Sequence, residues 1–175
     1  MMNCRLTSEG NIRIENATNA DIKFRHFSGE KDPRDRYSVQ GVRYFNIALP
    51  EDFADELNVQ GWRVKFGKEK EDGTRYSPMI KVSVNFDSLR PPVITRWTSK
   101  GKVDITKDIA KDIDTDEIES AAFIITPYIG QNSPDGKKTP YLKNMRYKIE
   151  EDPFAGLYEN EDPYEGDLDW LNGQD

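Results

Sequence analysis

Apolar and polar residues alternate with a period of two in several stretches of the first 149 positions, the signature of half-buried strands rather than helices. In residues 21–27, Ile22, Phe24 and His26 fall on one face and Lys23, Arg25 and Phe27 on the other. Residues 43–49 put Phe45, Ile47 and Leu49 on one side, with Arg43 and Tyr44 at the start. Residues 62–66 alternate Trp62, Val64 and Phe66 with Arg63 and Lys65. In 79–86, Ile80, Val82, Val84 and Phe86 point inward and Lys81, Ser83 and Asn85 outward. The β-branched stretch 93–98 follows a Pro-Pro stop and ends near a Lys100-Gly101 turn, with 103–105 as its return strand. Residues 121–128 are a near-continuous apolar run, read as a buried strand. Residues 141–149 interleave Lys143, Arg146 and Lys148 with Leu142, Tyr147 and Ile149.

Two short helices complete the pattern. Pro50 opens residues 50–57, acids fill the first turn, and Gly61 is the stop signal. Residues 106–113 form the second, with Asp104 or Thr106 as cap. About seven short strands with one or two short helices predict a mainly β body, a small closed or partly closed barrel. A sandwich of similar strand count is the alternative. Loops 28–39, 68–77 and 130–140 carry basic residues that could line a groove mouth. There is no internal repeat.

The end of the chain breaks the pattern. Residues 150–175 hold ten carboxylates and no Lys or Arg, with Phe154, Tyr158, Tyr164 and Trp170 among them. That composition is too charged to collapse and predicts a flexible tail following a body of residues 1–149. The tail also changes how the net charge of −7 is read. Removing ten of the 32 acids leaves 22 against 25 bases, so the body carries about +3. A body of that length fits one domain with a sizeable core. No apolar run approaches the roughly 18 residues of a membrane helix. The N-terminus has no signal-peptide apolar region. A single cysteine, Cys4, precludes an internal disulfide. The expected setting is cytoplasmic, without a membrane partner.

Catalytic chemistry finds little support. One histidine and one cysteine cannot build the usual zinc site. A Cys–His nucleophile pair would need Cys4 beside His26, but Cys4 lies near a terminus read as mobile and His26 in a strand read as packed. Neither of the phosphate-cradling glycine motifs is present. The acids of 112–119 read as a solvated face, since a metal-dependent nuclease needs acids converging on a core sheet. No catalytic residue, metal site or cofactor is expected, and the chain is read as a non-enzyme.

Cations alternate with apolar residues in four predicted strands: Lys23/Arg25, Arg63/Lys65, Lys81 and Arg146/Lys148. On neighbouring strands they would make one basic stripe able to track a phosphate backbone. Tyr44, Tyr76, Trp97 and Tyr128 lie near cations or at strand ends and are candidate platforms for base stacking. The densest candidate is Arg96, Trp97, Lys100 and Lys102 around the predicted hairpin. Arg43 completes the phosphate-binding set. Trp62 is read as core, because Val64 and Phe66 share its face. In the tail, Asp167 and Asp169 flank Trp170. With Phe154, Tyr158 and Tyr164 they make a segment that can occupy the basic groove or enter apolar pockets on partner proteins.

This architecture resembles the phage-type single-stranded DNA-binding proteins, which have an oligonucleotide-binding (OB) fold and an acidic C-terminal tail. The resemblance is of architecture and composition over the whole chain. Those tails tend to end on an aromatic, whereas Trp170 here is followed by five more residues. It implies an OB-like barrel that coats single-stranded DNA without sequence preference in replication or recombination. It also implies that the tail recruits replication or recombination proteins and competes with DNA for the groove. A homodimer is left open. Three other classes stand beside it: an acidic DNA mimic that inhibits a DNA-binding enzyme, a β-rich assembly protein, and an enzyme acting on nucleic acid.

Overall fold

The computed structural model describes residues 1–130 and 134–151. The expected tail contacts Phe154, Tyr158, Tyr164, Asp167, Asp169 and Trp170 lie outside the described residues. Among the described residues, nine strands and one α-helix follow in the order β1 (Asn3–Leu6), β2 (Ile12–Ala17), β3 (Ile22–His26), β4 (Arg43–Ala48), α1 (Glu51–Val59), β5 (Met79–Val84), β6 (Val93–Thr98), β7 (Gly101–Asp104), β8 (Ile118–Tyr128) and β9 (Thr139–Ile149). A short 3-10 helix, Ala110–Asp114, precedes β8. The mainly β reading holds.

The strands form one sheet in the order β1-β2-β8-β9-β5-β4-β3. Strand β9 is its hub. One edge of β9 pairs antiparallel with β8. The other edge is shared: β5 meets it at Ser83–Tyr141, and β6 runs parallel to Asn144–Lys148. The β6–β7 hairpin therefore branches off where β5 departs. In a flat sheet β8 and β4 would sit three strand spacings apart, about 14 Å. Yet the rings of Phe45 on β4 and Phe123 on β8 stack at 5.4 Å. Phe27 adds a third ring, 5.0 Å from Phe45. The sheet must curl around this column, and the core fills the inside of the curl.

Among the described residues the ladder does not close into a continuous barrel. Side chains bridge the gap between β3 and the segment before β8. The Asp114 carboxylate accepts the N–H groups of Phe27 and Ser28 at 2.7 and 3.1 Å. The Arg25 guanidinium donates to the Ile113 and Asp116 carbonyls and to Asn19 Oδ1, all within 2.8 Å. On the opposite side of that segment, Tyr147 donates its hydroxyl to Asp116 Oδ2 at 2.7 Å. Burial, with that bond to Asp116, pushes the Tyr147 phenol far above its ordinary range.

Several sequence expectations are corrected. The alternation read in residues 21–27 breaks inside β3. A register shift between Lys23 and His26 accompanies a positive φ of 51° at Phe24. A bulge of this kind turns following side chains over. Phe24 is consequently 69% exposed, while Phe27 enters the core. Residues 62–66 are not a regular strand and make only isolated bridges, Trp62 to Lys138 and Lys65 to Met79. Trp62 is core, as read, at 1% exposure. Phe66, expected on the same face, is exposed. The second helix, expected at 106–113, is only the 3-10 turn. The N-terminus is not loose: β1 pairs with β2, and Cys4 packs on the core. Helix α1 begins after Pro50 with Glu51 and Asp52 in its first turn and buries Phe53, Ala54 and Leu57. Gly61 then takes φ 86°, which favours glycine and turns the chain out of the helix.

Burial, with Asp21 contributing, pushes the Cys4 thiol from 9.0 up to about 12. The ionised thiolate is thus disfavoured in the fold, so the stability this group contributes is complete below about pH 9. It is lost as pH rises toward about 12. Two results are expected. At pH 8 the native thiol reacts with a disulfide reagent far more slowly than in urea. A Cys4→Ala variant loses less stability between pH 9 and pH 11 than the parent, read from urea midpoints.

Candidate nucleic-acid interface

The outward face of β4 and β5 supplies the first part of the site. Pairing sets Tyr44 opposite Ser83 and Asn46 opposite Lys81, while Phe45 and Val82 between them point into the core. The Tyr44 ring stacks on His26 at 5.2 Å, and the Lys81 ammonium lies 4.2 Å from its centroid. These contacts fix Lys81 over the sheet by a cation–π attraction.

The chain leaving α1 supplies the second part. It runs between the start of β5 and the start of β9, with Arg63 N–H bonded to the Lys138 carbonyl and Lys65 exchanging both backbone bonds with Met79, each at 2.9 Å. That wedge leaves a groove of about 500 Å³ lined by Arg63, Lys65, Lys81 and Lys137 and by Ser83 and Thr139. Arg63 is held by a bidentate pair with Asp135 at 2.7 and 2.8 Å. Lys65, Lys81 and Lys137 have no carboxylate partner among the described residues. Three like charges converging without counterions raise the local potential and favour an anionic ligand.

Aromatic surface lies beside this groove. Tyr128 and Tyr141, across the β8–β9 pair, have centroids 5.1 Å apart and planes tilted by 52°. Tyr128 is 53% exposed. The arm of residues 67–77 starts next to Lys65 and carries Tyr76, with the Lys70 ammonium 4.6 Å over its ring. Gly67 is required there, because a Cβ would fall 2.1 Å from the Tyr76 carbonyl oxygen. The loop between β3 and β4 carries Arg36 stacked 4.8 Å over the exposed Tyr37.

The remaining sequence candidates lie elsewhere or are engaged internally. Arg25 is the clamp described above. Arg43 donates to the Phe27 carbonyl, lies 5.3 Å over Phe86, and packs on Gly29. Arg96 turns to Asp116 and Asp112 at 3.4 and 3.6 Å. Burial alone would lower its guanidinium, but Tyr147 and Asp116 more than offset that and raise it. Trp97 is only 7% exposed, so its faces are covered. Lys102 lies 5.9 Å over the Trp97 ring. Lys100 sits exposed in the β6–β7 turn, where Ser99 N–H donates to Glu151. Arg146 and Lys148 belong to the far half of β9, with Lys148 at 3.5 Å from Glu119. Lys23 is exposed on β3, opposite Asn46.

Sequence reasoning missed Lys137, Tyr141 and His26 as members of this surface. The Lys137-Lys138 pair just after the Gly136 turn was a legible signal for the first. The other two depend on cross-strand neighbours that only the register reveals. Among the described residues no group of three metal-ligating side chains comes together. No helix among them is long and apolar enough to cross a membrane.

Known proteins provide the comparison. None of the curated proteins matches the chain. Among solved structures, the single-stranded DNA-binding protein of bacteriophage Enc34 in complex with ssDNA aligns with a TM-score of 0.51 at 13% identity. The alignment covers 87% of this chain and 93% of that one. A C-terminal truncation of the same phage protein aligns with a TM-score of 0.50 at 12% identity, covering 87% and 92%. At such identities the likeness is one of fold. Residues 6–162 match the family profile described as "Putative phage ssDNA-binding domain". That match takes in most of the 175 residues, and the chain belongs to this phage single-stranded DNA-binding family.

Proposed function

We infer that this protein binds single-stranded DNA without chemical turnover, as a coat for exposed strands during phage DNA replication or recombination in the host cytoplasm. The observation that carries the reading is the groove in which Lys65, Lys81 and Lys137 converge without carboxylate partners among the described residues, beside the exposed Tyr128 and the half-buried Tyr141. Phosphates run along the lysines, with Arg63 joining when Asp135 yields. Bases stack on Tyr128 and Tyr141, with Tyr76 on the neighbouring arm. Phosphate attraction is indifferent to sequence, and every base has a π-face. Residues 150–175 act as a competitor for the same cations and as a handle for replication or recombination proteins.

Fluorescence anisotropy with a labelled thymine strand of about 30 nucleotides tests this, long enough for more than one site. Full-length protein and a chain ending at residue 150 are compared at low and moderate salt. Saturable, salt-sensitive binding that tightens on truncation is the expected result. A Tyr128→Ala change should weaken binding by about 1–3 kcal/mol. Failure of both chains to bind would reject the reading, and equal affinity of the two would reject the competitor role of the tail.

A further inference from the structure

Strand β3 brings one ionisable ring to the outward face of β4 and β5. His26 is the only histidine of the chain. Unbroken alternation would send it inward with Ile22, but the register shift between Lys23 and His26 turns it over. It stands half-buried opposite Tyr44, with its imidazole stacked on the phenol ring. The Lys81 ammonium lies over that same phenol ring, so Tyr44 joins His26 to the lysines of the groove. Among the described residues the imidazole makes no hydrogen bond, and neither ring nitrogen has a partner.

The charged groups around His26 divide into engaged and unengaged ones. On β3, Arg25 is held in the clamp, and on β4, Arg43 donates to the Phe27 carbonyl. The 3-10 turn packs against β3. Its Asp114 accepts the Phe27 and Ser28 N–H groups, while Asp112 and the following Asp116 pair with Arg96. In the loop after β3, Glu30 and Lys31 are exposed. Lys23 on β3, Lys81 on β5 and Lys111 on the turn have no carboxylate partner among the described residues. A proton added to His26 in the free protein would therefore meet like charges. A phosphate laid beside Lys81 reverses that balance, because an imidazolium offers it a positive charge and two N–H donors. Histidine is the side chain that changes charge between about pH 5 and pH 8.

We propose that His26 grips a DNA phosphate as an imidazolium, so that the bound strand takes up a proton at this position and binding tightens as pH falls from about 8 to about 6. The proposal rests on the single-stranded DNA reading above and adds proton linkage to it. Linkage is reciprocal: a proton that strengthens DNA binding is itself held more firmly once DNA is bound. The test uses tag-free full-length protein and thymine strands of about 20 nucleotides, whose bases neither gain nor lose a proton in that range. At low salt the affinity at about pH 6 should exceed that at about pH 8 by about fivefold. The plot of log affinity against log salt should steepen by about 0.7, the share of one further phosphate contact on a single strand. His26→Gln should flatten both trends. The lone imidazole also gives a single ring C–H signal in proton NMR, and its titration in the unaltered protein should move to higher pH when the strand is added. That arm does not depend on the variant folding. Equal affinity at the two pH values overturns the proposal, as does an NMR titration unmoved by DNA. A pH trend that survives His26→Gln overturns it too and points to the N-terminal amine. Failure to bind at either pH would instead remove the single-stranded DNA reading, and this proposal with it.

Discussion

An Arg25→Ala protein is expected to unfold at markedly lower urea while binding single-stranded DNA almost as tightly as the parent. Sequence alternation put Arg25 in the phosphate-binding set. In the fold its guanidinium makes three hydrogen bonds, to two carbonyls of the segment before β8 and to Asn19. Asn19 in turn bonds the backbone of Ile118 in both directions, at 3.0 and 3.1 Å. Removing the cation leaves two carbonyls without this donor at the place where side chains bridge the gap in the sheet. Charged hydrogen bonds are worth roughly 1.5–3 kcal/mol each, but neighbouring ones are not additive. A loss of about 3 kcal/mol follows, or about 6–12 °C in the thermal midpoint for a chain this long. Lys23→Ala, on the same strand and exposed, should stay within about 0.5 kcal/mol. The check is a pair of urea titrations beside anisotropy on the same samples. Unchanged stability with lost affinity would return Arg25 to the interface.

The contrast between Arg25 and Lys81 marks what the sequence could disclose. Both sit in alternating strands and both were read as outward cations. Phe45, Ile47, Ile80 and Val82 define the inner face of β4 and β5 unambiguously, and Lys81 follows by parity. In β3 the period of two fails at the bulge, and parity then misplaces both Phe24 and Phe27. Strand β1 escaped notice for a different reason. It has four residues, Asn3–Leu6, lies at a sheet edge, and shows no apolar run. Strand β2 does alternate at Ile12, Arg13, Ile14 and Glu15, but Asn16 interrupts it with φ 60°. The hairpin of Arg96, Trp97, Lys100 and Lys102 was legible as a hairpin and not as a surface. Whether Trp97 faces solvent depends on β6 being sandwiched between β7 and β9, and that pairing spans about 50 residues of sequence. Local pattern thus disclosed strands β3 to β9 and part of the groove, and missed β1 and β2. The gathering of Lys65, Lys81 and Lys137 came from the wedge after α1, whose alternation at residues 62–66 predicts a regular strand where the fold has only isolated bridges.

That gathering makes the largest functional prediction a matter of location rather than charge. Replacing Lys65, Lys81 and Lys137 together by Gln takes the formal net charge from −7 to −10. So does replacing Lys100, Lys102 and Lys111, which are exposed on the β6–β7 hairpin and the 3-10 helix. A diffuse field would make the two triple variants equivalent. A groove that holds phosphates does not. Each lysine lost from the track removes about one released counterion, with a slope of about −0.7 per contact on single strands. The groove variant should therefore bind on the order of tenfold to a hundredfold more weakly at low salt. Its plot of log affinity against log salt should flatten by about 2. The hairpin variant should keep the parent slope and lose little affinity. Surface glutamines on exposed positions cost little stability, so both proteins should melt near the parent. If instead the hairpin variant flattens and the groove variant does not, the phosphates run along the far half of β9, past Arg146 and Lys148, and the groove beside Tyr44 is not the DNA track.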